Sequence, residues 1–225
     1  MDFPVRFAIQ LLQDPTQRKH FFRWIESFRK NYFLTKKQPW IVFDAIDFLN
    51  SLPLENKRVF EYGSGGSTLF WLSRNMSLVS VEHDPAWFEL VRARLKTSDA
   101  VDYRLAEPDK SSPGLSSDIA DPRSYLSDDA AFRGYSFKNY ASQIDAFPDD
   151  YFDVVLIDGR ARPACIMHSV PKIKTGGLLI VDNSDRKYYF EHTKTILEKF
   201  RVIVFRGVTP TVAFMSSTTV FIKVD

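Results

Sequence analysis

From residue 58 to the end of the chain, short apolar runs alternate with stretches of helical periodicity. The runs lie at 58–62, 78–82, 101–105, 153–157, 178–181, 202–205 and 218–224, and most are bounded by Gly, Asp or Asn. Helical patterns occupy 67–74, 85–96, 162–172 and 187–199. Strands that alternate with helices pair in parallel, and the helices cover both faces of the sheet. The expected fold class is therefore α/β, with seven strands in a mostly parallel sheet. The last two runs have no helical pattern between them, so the final strand is expected to run antiparallel at one end of the sheet.

A chain of 225 residues is the size of one domain with extensions. Its 44% hydrophobic and 26% charged content excludes a disordered or low-complexity scaffold. A formal net charge of +2 shows no demand for a polyanionic partner. The single cysteine, Cys165, excludes a disulfide-stapled secreted fold and points to a reducing compartment. No apolar run approaches the length of a membrane span, and the first residues lack the pattern of a signal peptide. These features together give the expectation of a cytoplasmic protein.

Residues 1–50 read as an N-terminal helical extension and 51–225 as the main domain, with an insertion at 107–150. Within the extension, 14–33 reads as one amphipathic helix with Asp14 as cap and an apolar stripe of Phe21, Ile25, Phe28 and Tyr32. A second helical stretch follows Pro39. Eleven of the 33 aromatic residues fall in the first 48 positions, so the extension is expected to pack on the domain or cap it. Seven Lys/Arg against one Glu between Gln17 and Lys37 leave two readings, a solvated helix face or a surface for nucleic acid or anionic lipid. The insertion is rich in Asp, Ser, Pro and Tyr. It would leave the third strand at the ligand-binding edge of the sheet, as a substrate lid or as a passive surface loop.

The strongest local signal is Val59-Phe60-Glu61-Tyr62-Gly63-Ser64-Gly65-Gly66-Ser67-Thr68, a strand that enters a glycine turn and then a helix. Glycines let the backbone approach a ligand closely, and Ser67 or Thr68 can cap the helix. Glu82 ends the second strand 19 residues after Gly63, near the offset at which a carboxylate takes the hydroxyls of a ribose. Thr68 replaces the third glycine of the dinucleotide fingerprint, and Glu61 is a poor neighbour for a pyrophosphate. An acid there suits a cofactor with a cationic end, which favours S-adenosylmethionine over a nicotinamide dinucleotide.

Glu61-x-Gly63-x-Gly65, Glu82, the run from Asp153 to Asp158 and the run from Gly176 to Asn183 together resemble the successive motifs of class I S-adenosylmethionine-dependent methyltransferases. The resemblance covers about residues 38–225. It implies a seven-stranded Rossmann-like sheet with an antiparallel last strand. It also implies that Glu61 contacts the methionyl amino group, directly or through water, that Gly63, Ser64, Gly65 and Ser67 line the cofactor, and that Glu82 holds the ribose. His83 and Ala106 would flank the adenine, and Asp158 would face the reacting centre as the leading catalytic candidate, with Asp182 second.

Asp158, Asp182 and Asn183 also resemble the cation ligands of metal-dependent O-methyltransferases, so Mg²⁺ or a similar ion is a candidate cofactor. The catalytic lysine of those enzymes is replaced by Ala161. The other reading is that Asp182 and Asn183 cap the following helix and shape the pocket. Arg160 and Arg162 could bind an anionic substrate, and Tyr140 in the insertion is a further substrate candidate. Asp185 and Arg186 could form a salt bridge with the Arg160 loop. His168, His192 and Cys165 read as packed or exposed helix positions. The expected activity is methyl transfer to a small-molecule acceptor. A nicotinamide-dependent oxidoreductase and a non-catalytic binding protein on the same fold are the alternatives.

Overall fold

The computed structural model describes residues 3–97, 100–110 and 116–224. Four helices precede the sheet: α1 (Phe3–Gln13), α2 (Phe21–Ser27), α3 (Tyr32–Lys36) and α4 (Phe43–Ser51). There follow β1 (Arg58–Tyr62), α5 (Gly66–Leu72), β2 (Ser77–Glu82), α6 (Pro85–Arg92) and β3 (Val101–Leu105). After the insertion, which carries α7 (Lys138–Ala141), come β4 (Phe152–Ile157), α8 (Arg162–Ser169) and β5 (Ile173–Asp182). The chain closes with α9 (Lys194–Leu197), β6 (Phe200–Val208) and β7 (Met215–Lys223).

The strand order is β3-β2-β1-β4-β5-β7-β6. All pairings from β3 to β5 are parallel, and β7 is antiparallel to both of its neighbours. The central strands are buried on both faces, which explains why they read as apolar runs rather than as alternation. Their side chains still sort by parity. Phe60, Tyr62, Val155 and Ile157 face a core with Phe137, Tyr140, Cys165 and Ile166. Val59, Val154, Leu156 and Ile180 face a second core that contains Phe7, Leu11, Trp24 and Phe43 of the N-terminal helices. Phe7, Trp24 and Phe43 thus pack on one face of the sheet, together with Phe70 and Trp71 of α5.

The chain leaves β1 toward β2 and β3, then returns to β4 on the other side of β1. A crevice opens at the carboxyl ends of the strands where the order reverses. Gly63 follows β1 there, and Asp158 follows β4.

Residues 14–33 are not one helix. Asp14 ends α1 and accepts hydrogen bonds from Thr16 N at 2.8 Å and Gln17 N at 3.2 Å. Asn31 takes a left-handed conformation, with φ 59°, before α3. The buried face is also phased differently. Ile25 and Phe28 are about half exposed, while Gln17, His20, Trp24 and Ser27 are buried. Burying polar groups is tolerated because each has a partner. Gln17 accepts from Val208 N at 3.0 Å, His20 lies 3.0 Å from Asp44 Oδ1, and Trp24 Nε1 donates to Val212 O at 2.7 Å. The segment 187–199 is likewise broken into a 3₁₀ turn and the short α9.

The basic residues of the extension are largely engaged within the chain. Lys19 pairs with Asp44, Arg23 with Asp47, and Lys36 and Arg29 with Glu26. His20, Asp44 and Asp47 come within metal-binding distance of one another, but these cations already partner both carboxylates. Among the described residues, no helix is long and apolar enough to cross a membrane.

Candidate active site

The glycine turn is fixed from beneath. The Glu61 side chain is fully buried and accepts hydrogen bonds from Thr68 Oγ1 and, at 3.0 Å, from Ser80 Oγ. Thr68 Oγ1 in turn accepts from Gly65 N at 2.9 Å. The threonine that replaces a fingerprint glycine is therefore the link between Glu61 and the turn. Burial pushes the Glu61 carboxyl up to about 7, against the opposing hydrogen bonds from Thr68, Ser80, Ser67 and Trp71. Glu61 does not line the cavity above it, so any influence on a ligand's cation is exerted through its field and through the turn.

Glu82 is 3% exposed and sits at the cavity wall. Its Oε2 accepts from Ser64 N at 3.0 Å and Ser64 Oγ at 2.8 Å. Its Oε1 accepts from His83 N at 2.7 Å and Asp84 N at 2.9 Å. Burial alone would raise its pKa, but the donors from His83, Asp84 and Ser64 outweigh it and hold the pKa below the usual value. The group is an anion at neutral pH. Ser64 Oγ also meets Tyr103 Oη at 2.7 Å, so a diol at Glu82 would compete with a hydroxyl already in place.

Trp87 closes this end, donating from Nε1 to Ser64 O at 2.8 Å. A side chain on Gly65 would approach the Trp87 ring at 3.6 Å. The sequence signal for Trp87 was its place in the first turn of the helix that follows Glu82, capped by Asp84 and Pro85.

The cavity has a volume of about 740 Å³, within the range of small-molecule sites. Gly63, Ser64, Gly65, Ser67, Glu82 and His83 line one part of it. Asp158, Arg160, Asp182 and Asn183 line another. Ala106 and Tyr140 are buried and do not reach it. Tyr140 is instead a buttress, because a Cβ on Gly159 would meet its hydroxyl at 2.0 Å. That hydroxyl is buried and has no hydrogen-bond partner among the described residues. Gly159→Ala is therefore expected to cost about 1–3 kcal/mol by overpacking. Tyr140→Phe should be close to neutral alone and should restore part of that loss in the double variant. A thermodynamic cycle from denaturant melts measures this coupling. Simple additivity would contradict the contact.

Arg162 is the organising cation. Its side chain is 8% exposed. Nε donates to Gly159 O at 3.0 Å, Nη2 to Asp158 Oδ1 at 3.2 Å, and Nη1 to the Asp182 carbonyl. Asp158 keeps a fifth of its side chain exposed, and its Oδ2 has no protein donor among the described residues. Its pKa lies well above the usual range, raised first by burial and then by the Asp182 charge. Burial raises Asp182 to about 6, against the pull of Arg162 and a 2.6 Å hydrogen bond from Thr218 Oγ1.

The three candidate cation ligands are each partly engaged within the protein. Arg162 takes Asp158 Oδ1 and the Asp182 main-chain carbonyl, Thr218 takes Asp182 Oδ1, and Asn183 donates its amide to Ser216 Oγ at 3.2 Å. Neither Asp182 nor Asn183 caps a helix. Asp185 accepts from Ser216 Oγ and Ser217 N rather than pairing with the Arg160 loop, and Arg186 pairs with Asp128. Cys165 is fully buried, and burial pushes its thiol well above the usual value.

The remaining wall comes from segments outside the strand-helix alternation. Phe33 stacks on Trp40 with centroids 4.9 Å apart, and Phe214, Val212 and Phe132 complete an apolar surface. Trp40 Nε1 donates to Pro210 O at 2.9 Å, joining the extension to the β6–β7 connection. The backbone of the extension also rests on α5, where a Cβ on Gly66 would meet Gln38 O at 2.1 Å and Phe33 O at 2.7 Å.

No family model and no curated protein matches the sequence. Solved structures do. The O-methyltransferase from Bacillus cereus, determined with S-adenosylhomocysteine, is 12% identical over 99% of this chain and 91% of its own, with a TM-score of 0.53. A proposed O-methyltransferase from Klebsiella pneumoniae is 15% identical over 98% of this chain and 96% of its own, with a TM-score of 0.54. The chain has the class I methyltransferase fold. Within that fold the glycine turn and Glu82 stand at the carboxyl ends of the first two strands. The Arg162-centred cluster stands at the ends of the fourth and fifth.

Proposed function

We propose that the protein is an S-adenosylmethionine-dependent methyltransferase acting on a small-molecule acceptor. The observation that carries this reading is the ionised Glu82 carboxylate beside the Glu61-pinned glycine turn, at the point where the strand order reverses. Glu82 would hold the ribose hydroxyls, and the Gly63–Gly65 backbone would lie along the ligand. His83 and Trp87 would bound the adenosine end. The similar Bacillus cereus structure was determined with S-adenosylhomocysteine, which agrees with this choice.

When bound, the cofactor supplies an activated methyl group, whose bond to sulfur breaks as the acceptor's lone pair forms the new bond. The chain's own contribution is mainly alignment, because an in-line displacement is accelerated by holding both partners in position. Asp158, which lines the cavity and has a raised pKa, would take a proton released by the acceptor. Arg162 would hold that carboxylate in place.

Titration calorimetry with S-adenosylhomocysteine and with NAD tests the reading. Binding of the former alone supports it, binding of NAD alone favours an oxidoreductase, and binding of neither leaves a non-catalytic protein. Glu82→Gln should weaken S-adenosylhomocysteine binding by roughly 10- to 100-fold, the loss of charge-assisted hydrogen bonds. Wild-type affinity in that variant would remove Glu82 from the ribose.

A further inference from the structure

Two arginines that line the cavity pair with carboxylates of the insertion, and Arg186 Nη1 also donates to Tyr189 Oη at 2.9 Å. Arg160 Nη2 lies 2.8 Å from Asp129 Oδ2, and Arg186 Nη1 lies 2.6 Å from Asp128 Oδ2. One arginine follows β4 and the other follows β5, and both line the cavity. Their partners are consecutive residues of one loop. The side chains in both pairs remain roughly one third to two fifths exposed, between 32% and 43%.

Arg162 shows what a structural arginine looks like here. It is buried and spreads its donors over three oxygens of the framework. Arg160 differs. It makes one ion pair through one Nη, and its Nε is shielded from solvent with no acceptor among the described residues. The two Nη atoms of a guanidinium fork are parallel donors that suit one planar or tetrahedral anion. The Phe132 ring, 5.8 Å from Arg160 Cζ, packs against the guanidinium group. Exposed ion pairs are individually weak, so a ligand anion that reached both donors would displace Asp129 readily.

We propose that the acceptor carries an anionic group, a carboxylate or a phosphate, and that Arg160 and Arg186 bind it in place of Asp129 and Asp128. The loop carboxylates then act as internal stand-ins that occupy the arginines when no acceptor is present. The stacked Phe33 and Trp40 with Phe214 face the same space, so the body of the acceptor is apolar. As a statement about the methyl acceptor, the proposal rests on the methyltransferase reading.

The test titrates the full chain with benzoate, phenyl phosphate and the uncharged benzamide, each with and without S-adenosylhomocysteine. Benzoate or phenyl phosphate should bind at least tenfold more tightly than benzamide, and the stronger of the two identifies the anion. Arg160→Gln and Arg186→Gln should each weaken that binding about tenfold or more, as expected for a lost charge-assisted pair. Asp129→Asn removes a competitor rather than a ligand, so it should tighten anion binding. This outcome is not expected of a merely structural salt bridge, and it keeps the proposal testable if an arginine variant does not fold. Equal affinity for benzamide, or weaker anion binding in Asp129→Asn, overturns the proposal. Anion binding without any S-adenosylhomocysteine binding overturns the methyltransferase reading and leaves the anion site standing. Binding of S-adenosylhomocysteine without either anion does the reverse.

Discussion

An Arg162→Met variant is expected to lose about 3–5 kcal/mol of folding stability at pH 8, the usual cost of leaving a buried charge without its partner. The side chain is 8% exposed and bonds to Asp158, to the Gly159 carbonyl and to the Asp182 carbonyl. Its removal leaves two neighbouring carboxylates at the end of β4 and β5. Both already have pKa values raised by burial, Asp182 to about 6. A carboxyl whose folded pKa is raised favours the folded state most when it is protonated. That contribution is complete below the ordinary carboxylate range, about pH 4, and is lost as pH rises through the folded pKa. Without Arg162 the folded values rise further, so the loss extends to higher pH. Thermal melts of both proteins from pH 5 to pH 8 should therefore show a gap that narrows toward pH 5. A gap independent of pH would mean that Arg162 acts by packing alone.

Gly63→Ala is expected to cost roughly 2–5 kcal/mol, the sum of left-handed backbone strain and overpacking. Gly63 has φ +89°, and a Cβ there would lie 2.5 Å from the Asp158 carbonyl oxygen and 2.9 Å from its carbon. The obstacle is backbone, which has no rotamer to change. The ends of β1 and β4 would have to separate, carrying Ser64 away from Glu82 on one side and Asp158 away from Arg162 on the other. Binding of S-adenosylhomocysteine should fall below detection by calorimetry while the circular dichroism spectrum stays folded at low temperature. Wild-type affinity would show that the two strand ends have slack that these distances deny.

The sheet was legible because its signals are local. The mostly apolar runs at 58–62 and 153–157 are closed by glycine or aspartate, and the glycine turn announces itself. Glu82 was visible by its spacing. The N-terminal helices were not legible. Their buried face carries Gln17, His20 and Ser27, which an apolar pattern counts as solvent-facing. Their partners, Asp44, Val208 and Thr211, lie between 24 and 191 residues away in sequence. The role of Arg162 was hidden for the same reason, since a charged residue in a loop motif reads as a surface group until the fold surrounds it. Tyr140 was placed in the acceptor pocket because it belongs to the insertion. Its fully buried position under Gly159 depends on how the insertion folds back, which spacing does not encode.

The contact of residues 33–38 with Gly66 has a consequence for how this scaffold can change. The floor of the cavity belongs to the sheet, while much of the opposite wall belongs to residues 33–40, 128–132 and 209–214. Substitutions in those three segments alter what can enter while leaving Glu61, Thr68 and Glu82 untouched. What binds at the glycine turn and what enters past those three segments are thus largely separable traits, and side chains there could diverge while the turn keeps its supports.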